Sequence, residues 1–500
     1  MDFLDPKKKR AHEKRLAIGY ILVAIVILLA TKILVYAVSG YGIDTKTGQI
    51  VQNGLLFVDS LPKGAEVYLN GVDRHTTTSA RLNLLAGKYD LKLTKTGYRD
   101  WSRSFDLEEQ SIVRYVYPLL VPQKPVTTTV KPYDAAPALI TQSPDQKWLL
   151  VLNNSASDKT AVFDEYDTTT LDDATPKTTT VTLPADLLTN YSSASVIKEV
   201  EWSTDNNNVL LQHGFDGGSE FVVFNRDKPE ESFNVNRTFS TNPYQVSLYN
   251  KKTDKLYLLS QPNGNLQLGV VKDKTLGLPM LKNVLNYKSY GKNLVAYVTA
   301  STTEGNVAAK IWDNKKTYSL NEFSAGETYL IDLKEFQGHF YYVDGSNTSD
   351  RFNIYKDPLD SLKDPSKAKA TAAVSLHNPG ATKLKFSDDT RFIGTENGQQ
   401  FAVYDIETQS SYQYSLTNPL SGDMDWMDGH RYIGLSEGNV LIMDYDGINK
   451  QIVAASALSQ GGFFDDNYHH LLTINSDSTG AVGLRDIDLR AGTDLPKSKQ

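Results

Sequence analysis

His469 and His470 are the adjacent side chains with the most chemical promise in this chain of 500 residues, because neighbouring imidazoles can ligate a transition metal. Their positions argue for another role. Both fall in columns of an internal repeat filled elsewhere by Lys147/Trp148, Asn207/Asn208, Arg391/Phe392 and Arg431/Tyr432. Columns that vary this freely belong to scaffold. His430 lies in a repeat turn, and His213, His339 and His377 are isolated. Asp145, Asp205, Asp389 and Asp428 recur at the same turns, where a carboxylate bonding its own backbone explains them without catalysis. Asp444-Tyr445-Asp446-Gly447 has the start of a calcium loop but neither its remaining ligands nor its terminal Glu. No nucleophile elbow, phosphate loop, His-Glu-x-x-His or dinucleotide fingerprint occurs. The chain has no cysteine, which removes thiolate nucleophiles, iron–sulfur clusters, Cys-type zinc sites and disulfides together. No catalytic residue, metal site or cofactor is expected, and the binding residues stay unassigned. Side chains from several repeats converging on one channel would escape any linear motif.

The repeat is the element that must position any such site. Ser143–Leu152, Ser203–Gln212, Ser387–Glu396, Met427–Ser436 and Asp465–Ile474 align without gaps. An aromatic precedes four of them: Trp202, Phe386, Trp426 and Phe464. Each unit reads as strand, acidic turn, strand, Gly turn, strand. The last three frames start 40 and 38 residues apart, the length of a four-stranded propeller blade. Weaker units centre on 246–259, 287–312 and 329–355, so seven or eight blades are expected over 135–492. The Thr-rich tract 168–182 reads as a surface loop. Trp202 and Trp426 share one repeat position, which predicts packing between blades rather than ligand stacking; Trp148 and Trp312 are read alike. The frame, best in Ser143-Pro144-Asp145-Gln146-Lys147, resembles the repeat of TolB-like and WD-repeat-like propellers. That resemblance implies a fold and no particular activity.

A smaller β unit precedes this. Leu55–Val58 is strand-like, and Ala65–Leu69 alternates up to Asn70-Gly71, a strong hairpin signal. Arg81–Leu85 and Tyr89–Thr94, joined at Ala86-Gly87, read as a second hairpin in a compact antiparallel unit. Pro62-Lys63-Gly64-Ala65, Val67-Tyr68-Leu69-Asn70-Gly71, Ala86-Gly87-Lys88-Tyr89 and Thr96-Gly97-Tyr98 closely resemble the PEGA domain over residues 54–118, with Lys63 where that family has Glu and Thr76–Ser79 in place of its Thr-Pro. The resemblance implies a small β-sandwich of exported bacterial proteins, used as a spacer or surface-binding module, without catalytic residues. Tyr89, Tyr98 and Trp101 are read as packing, with stacking on sugars as the alternative. Five prolines between Pro118 and Pro137 read as a linker over 119–134, of which 127–130 could instead complete the next domain.

Ahead of both units, Lys7–Arg10, Lys14 and Arg15 stand before an apolar run over 16–38. A bilayer core of ~30 Å needs about 20 helical residues, and flanking cations stay on the cytoplasmic side. The expectation is a cytoplasmic tail (1–15), a membrane anchor (16–38), a spacer (39–53), exported β modules and a C-terminal tail (493–500). A cleavable signal ending near Ala37-Val38-Ser39 and a nuclear-import reading of Pro6–Arg10 are the alternatives. The net charge of −7 becomes −11 for the exported part, which disfavours nucleic acid as a partner. The all-β architecture behind a single anchor predicts an envelope scaffold or binding protein whose propeller takes a protein or polysaccharide. The alternative is an exported propeller hydrolase or lyase acting on peptides or glycans. Oligomeric state is left open.

Overall fold

An apolar run of this length has one way to satisfy its backbone without water, and it is helical from Pro6 to Val38. The computed structural model describes residues 6–38, 41–43, 50–153, 155–192, 194–364, 366, 370–422, 424–477 and 479–496. The helix starts earlier than the apolar run, because Pro6 suits a first turn and the basic residues are good helix formers. Its segment His12–Tyr36 is long and apolar enough to cross a membrane. Large apolar side chains from Leu16 to Tyr36 are exposed. The expected spacer contains a short antiparallel pair, Tyr41–Ile43 with Ile50–Gln52; 39, 40 and 44–49 lie outside the described residues.

The chain forms two compact units, Met1–Lys124 and Pro125–Gln500. In the first, two sheets face each other. One has three strands (Ala80–Leu84, Gly54–Val58, Ile112–Tyr115) and the other four (Val72–Thr77, Glu66–Leu69, Gly87–Thr94, Trp101–Leu107). Leu56, Val58, Val67, Leu69, Leu91, Leu93 and Trp101 fill the space between them. Two expectations are corrected. Ala80–Leu84 does not pair with Gly87–Thr94; the chain crosses from one sheet to the other at Leu85-Ala86. Nor is the unit wholly antiparallel, since Gly54–Val58 pairs in parallel with Ile112–Tyr115.

The tetrad has a visible job here. Gly64 sits at φ 84°, open to glycine at little cost. Its N–H donates to Thr78 O, and the Ala65 N–H donates to Thr78 Oγ1 at 3.0 Å. Ser60 Oγ lies 2.6 Å from the same hydroxyl. Thr78 thus closes the turn in the stretch that lacks the family's Thr-Pro. Asn70 and Gly71, at φ 52° and 75°, make the two-residue turn with positive φ at both centres that matches strand twist. Tyr98 and Trp101 are core residues, 1% and 2% exposed. Tyr89 is half-buried and donates to Leu85 O at 2.8 Å.

The expected linker shrinks to a few residues. Leu119, Leu120 and Val121 are buried in the first unit. Val126–Pro132 is a strand that pairs with Val482–Asp488. That pairing closes the second unit, a β-propeller. Sheet I is Ile140–Gln142, Trp148–Leu152, Val162–Asp167 and Thr178–Thr182; sheet II runs from Val196–Trp202 to Phe233–Asn234. Sheet III has eight strands between Gln245–Tyr249 and Thr317–Ser324. Sheet IV starts at Asp332–Phe336, V at Lys383–Phe386 and VI at Asp425–Trp426, with four strands each. Sheet VII combines Phe463–Phe464, His470–Ser476 and Val482–Asp488 with the early strand Val126–Pro132.

Sheet III consists of two four-stranded meanders joined through Leu281–Tyr290, which pairs with Gly264–Val270 at its start and Leu294–Ala300 beyond. Among the described residues the second unit therefore holds six four-stranded sheets and this one of eight strands. Consecutive sheets pack face to face. Phe163 of sheet I meets Trp202 and Leu211 of sheet II. The ring closes where Leu149 and Tyr166 of sheet I share a core with Leu472 and Leu484 of sheet VII. The Thr-rich tract is only partly a loop, because Thr178–Thr182 is the outer strand of sheet I.

Candidate functional site

The repeat frame is a hairpin whose hydrogen bonds are reproduced from sheet to sheet. Ser143, Ser203 and Ser387 each donate N–H to the carbonyl five residues on. The N–H of Trp148, Asn208 and Phe392 returns to the serine hydroxyl at 3.0, 3.1 and 3.0 Å. In sheet VII, Asp465 substitutes for the serine and accepts from His470 N at 2.8 Å. The fourth residue is left-handed throughout: Gln146, Asn206, Thr390 and Tyr468. The turn carboxylates do what was expected. Asp145, Asp205 and Asp389 accept the adjacent serine hydroxyl and a backbone N–H, and Asp428 accepts from the N–H of His430 and Arg431. The gapless alignment fails once. In sheet VI Met427 N bonds Arg431 O, four residues on, so that turn is one residue shorter and Arg431, not Tyr432, is the counterpart of Trp148.

His470 starts its strand at 2% exposure. Its Nδ1 lies 2.8 Å from Asp486 Oδ1 and its Nε2 3.1 Å from Asp172 Oδ1. Burial works against its charged form, but Asp486, Asp465 and Asp172 outweigh it and raise the imidazole above its ordinary value. Asp172, His470 and Asp488 bring ligand-type atoms within 4.8 Å of one another, which revives the metal question. Arg490 answers it electrostatically. Its guanidinium donates to Asp488 Oδ1 at 2.9 Å and Asp172 Oδ2 at 2.8 Å, with Nη2 3.0 Å from His470 Nε2. A fixed positive charge at the focus of the carboxylates repels a cation, so the cluster ties sheet VII to the loop after sheet I's third strand.

The other candidates are also built into structure. His213, buried, pairs with Glu220 at 2.9 Å, whose carboxylate also accepts from Thr189 and Asn234. His339 pairs with Asp357 at 2.6 Å. His430 packs edge-on against Phe392, and burial pushes its imidazole down despite Asp389. His377 is exposed on an edge strand. Asp444–Gly447 is a hairpin turn, closed by Gly447 N to Asp444 O at 2.8 Å. Trp148 carries the Arg226 guanidinium 3.9 Å above its ring. Trp426 stacks on Tyr432 at 3.9 Å, and Trp312 packs against the core shared by the two meanders of sheet III.

What linear reading missed lies where the innermost strands converge. A cavity of about 520 Å³ opens there, lined among others by Glu199, Asp388, Asp425, Lys334, Trp426 and Phe464. These residues come from sheets II, IV, V, VI and VII. Glu199 is held by a chain of hydrogen bonds: Trp202 Nε1 donates to Thr141 Oγ1 at 2.7 Å, and Thr141 donates to Glu199 Oε2 at 2.5 Å. A β-bulge between Glu199 and Glu201 breaks the alternation of that strand, a device that re-aims side chains. Asp425 pairs with Lys385 at 2.5 Å. Surrounding protein raises the Glu199 carboxyl, against Thr141 and Lys385. Burial, with repulsion from Asp425 and Asp428, pushes Asp388 up to about 6. Both carboxyls still face the open channel. The sequence signal is weak: of the residues just before the repeat aromatics, Glu201, Lys385 and Asp425, only Asp425 lines this cavity.

Residues 53–119 match the PEGA domain, one residue beyond the expected limits at each end. No curated protein matches the chain. Among solved structures, the chain is similar to the Dos1 propeller (12% identity, TM-score 0.44, 73% of this chain and 95% of that one). It is also similar to an uncharacterized protein, lmo1340, of Listeria monocytogenes EGD-e (11%, 0.37, 67% and 93%) and to Hsv2p of Kluyveromyces lactis (8%, 0.37, 72% and 100%). Likenesses this distant transfer no activity. The chain is a PEGA domain followed by a β-propeller.

Proposed function

We propose that this protein is a membrane-anchored binding or scaffold protein of the bacterial cell envelope, in which the PEGA unit is the spacer and the propeller's channel mouth receives a protein or polysaccharide partner. One observation carries the binding reading over a catalytic one. Ser143 and Ser387, the serines of the mouth, each donate their hydroxyl to an aspartate and accept a backbone N–H within their own turn. They are committed to scaffold, while Trp426, Phe464 and the carboxyls of Glu199, Asp388 and Asp425 face the cavity. Aromatic faces with a few convergent polar groups suit recognition. The anchor rests on the helix His12–Tyr36.

A second reading, an exported enzyme acting on peptides or glycans, is favoured by the upward shift of Asp388, to about 6, and of Glu199, since a carboxyl raised towards the working pH is the kind that serves as a general acid. One experiment separates the two. The full-length protein in detergent is screened on glycan and peptide arrays, then incubated with each ligand it retains. Binding that leaves the ligand intact and falls at least tenfold in Asp388→Asn/Glu199→Gln supports recognition. Cleavage abolished by the same substitutions establishes the enzyme. Binding unaffected by them overturns the channel mouth as the site.

A further inference from the structure

The outer face of the three-stranded sheet in the PEGA unit has no role in the reading above, and its chemistry is specific. Phe57 stands at its centre, directly opposite Arg81 on one neighbouring strand and Arg114 on the other. Both guanidinium groups stack on the ring, their carbons 5.7 and 5.5 Å from its centroid. Both arginines are exposed, and among the described residues neither takes an ion-pair partner. Stacking on an aromatic face holds a guanidinium by its plane and leaves its N–H edge free for an oxyanion. Leu55 flanks Phe57 on the same strand face, with exposed Ile112 on the neighbouring strand and exposed Val116 just beyond its end. The nearby acids are Asp59, whose Oδ1 accepts the Ser60 N–H at 2.8 Å, and Glu108 and Glu109 in the turn before Ile112.

We propose that this face docks on net-anionic phospholipid headgroups of the leaflet in which the anchor helix is planted; the proposal rests on the anchored reading above. Two observations choose that occupant. The first is reach. Only 15 residues separate Val38, the last helical residue, from Gly54, the first of the sandwich. Fully extended they span at most ~50 Å, and the pairing of Tyr41–Ile43 with Ile50–Gln52 shortens that. The second is charge. Residues 54–124 carry ten basic and eight acidic side chains, whereas 125–500 carry 34 and 47. The part tethered nearest the bilayer is the one an anionic surface attracts. Arginines bracketing an aromatic, with aliphatic neighbours, match the headgroup boundary, where the charge meets phosphate and the apolar atoms meet acyl chains.

The absence of cysteine makes the test clean. Full-length protein with the single substitution Asn83→Cys, on the same face opposite Leu55, is labelled with an environment-sensitive fluorophore. It is reconstituted into vesicles of phosphatidylcholine alone or with one-quarter phosphatidylglycerol, and flotation checks insertion. The expected result is at least a twofold rise in emission, with a blue shift, in the anionic vesicles. That rise is lost in Arg81→Gln/Arg114→Gln and reduced by 0.5 M salt, with the thermal transition unchanged. Floating protein with equal emission in both vesicles overturns the face and leaves the anchor standing. A blue shift already present in phosphatidylcholine, or kept by the double variant, also overturns it. Protein that fails to float overturns the anchor and this occupant with it.

Discussion

The PEGA unit and the propeller solve the same problem, a stable β fold without disulfides, by opposite means. The small sandwich depends on a few irreplaceable positions: Gly64 in a left-handed turn, Thr78 capping Ala65, and Trp101 plugging the space between sheets. The propeller depends on a hydrogen-bond pattern that tolerates changes of residue, as when Asp465 takes the serine's place or a turn loses one residue. The first therefore has a spelling and the second a rhythm. Disrupting each tests that difference.

The largest effect is expected at Trp101, which contacts Tyr115 and Tyr117 and is 2% exposed. Trp101→Ala should cost about 3–5 kcal/mol, comparable to the total stability of so small a core. Limited proteolysis should then digest residues 54–118 and spare the propeller. Cleavage of both units together would show that they do not fold separately. Next is Arg391, bidentate to the fully buried Asp405 at 3.0 and 2.6 Å. Arg391→Ala strands a carboxylate that retains only backbone partners, at a cost of about 3 kcal/mol in urea unfolding of the propeller; Asp405→Asn in the same chain should recover part of it.

Asp344 sharpens the comparison through pH. It is fully buried, accepts from Asn321 at 3.2 Å, and burial pushes its carboxyl up to about 7. The folded state keeps a proton that the unfolded chain loses near pH 4. Stability from this group is full below that pH and falls as pH rises towards 7, by an amount on the order of 1–3 kcal/mol. Asp344→Asn should flatten that decline in the propeller's melting temperature between pH 4 and 7 and leave the PEGA unit unmoved. The smallest effect belongs to the rhythm itself. Asp145→Ala removes one turn acceptor of several and should cost about 1 kcal/mol; a loss equal to that of Trp101→Ala would mean the frame is no more tolerant than the tetrad.

How far each unit could be read beforehand follows from the same contrast. Asn70-Gly71 and the PEGA tetrad located the sandwich, since local backbone geometry demands those residues. The pairing of Gly54–Val58 with Ile112–Tyr115 stayed hidden because parallel partners lie far apart in sequence. Val126–Pro132 was read chiefly as linker for a related reason. Its Pro132 is tolerated on an edge strand, and its partner at Val482–Asp488 lies about 350 residues further along the chain. In the candidate site, Glu199 and Asp388 come from different sheets. Only closure of the ring brings them to one cavity, which no window of sequence can contain. The histidines drew attention as isolated letters, and the structure gives His470 and His213 acidic partners from strands or loops beyond their own turns.

The central claim is that both β units lie beyond a membrane crossed by the N-terminal helix. Because the chain has no cysteine, single substitutions Lys14→Cys and Lys274→Cys in otherwise unaltered protein can be probed with a membrane-impermeant maleimide on intact cells. The account predicts labelling at position 274 without lysis and at position 14 only after it. Protection of position 274 in intact cells, with labelling on lysis, would contradict it.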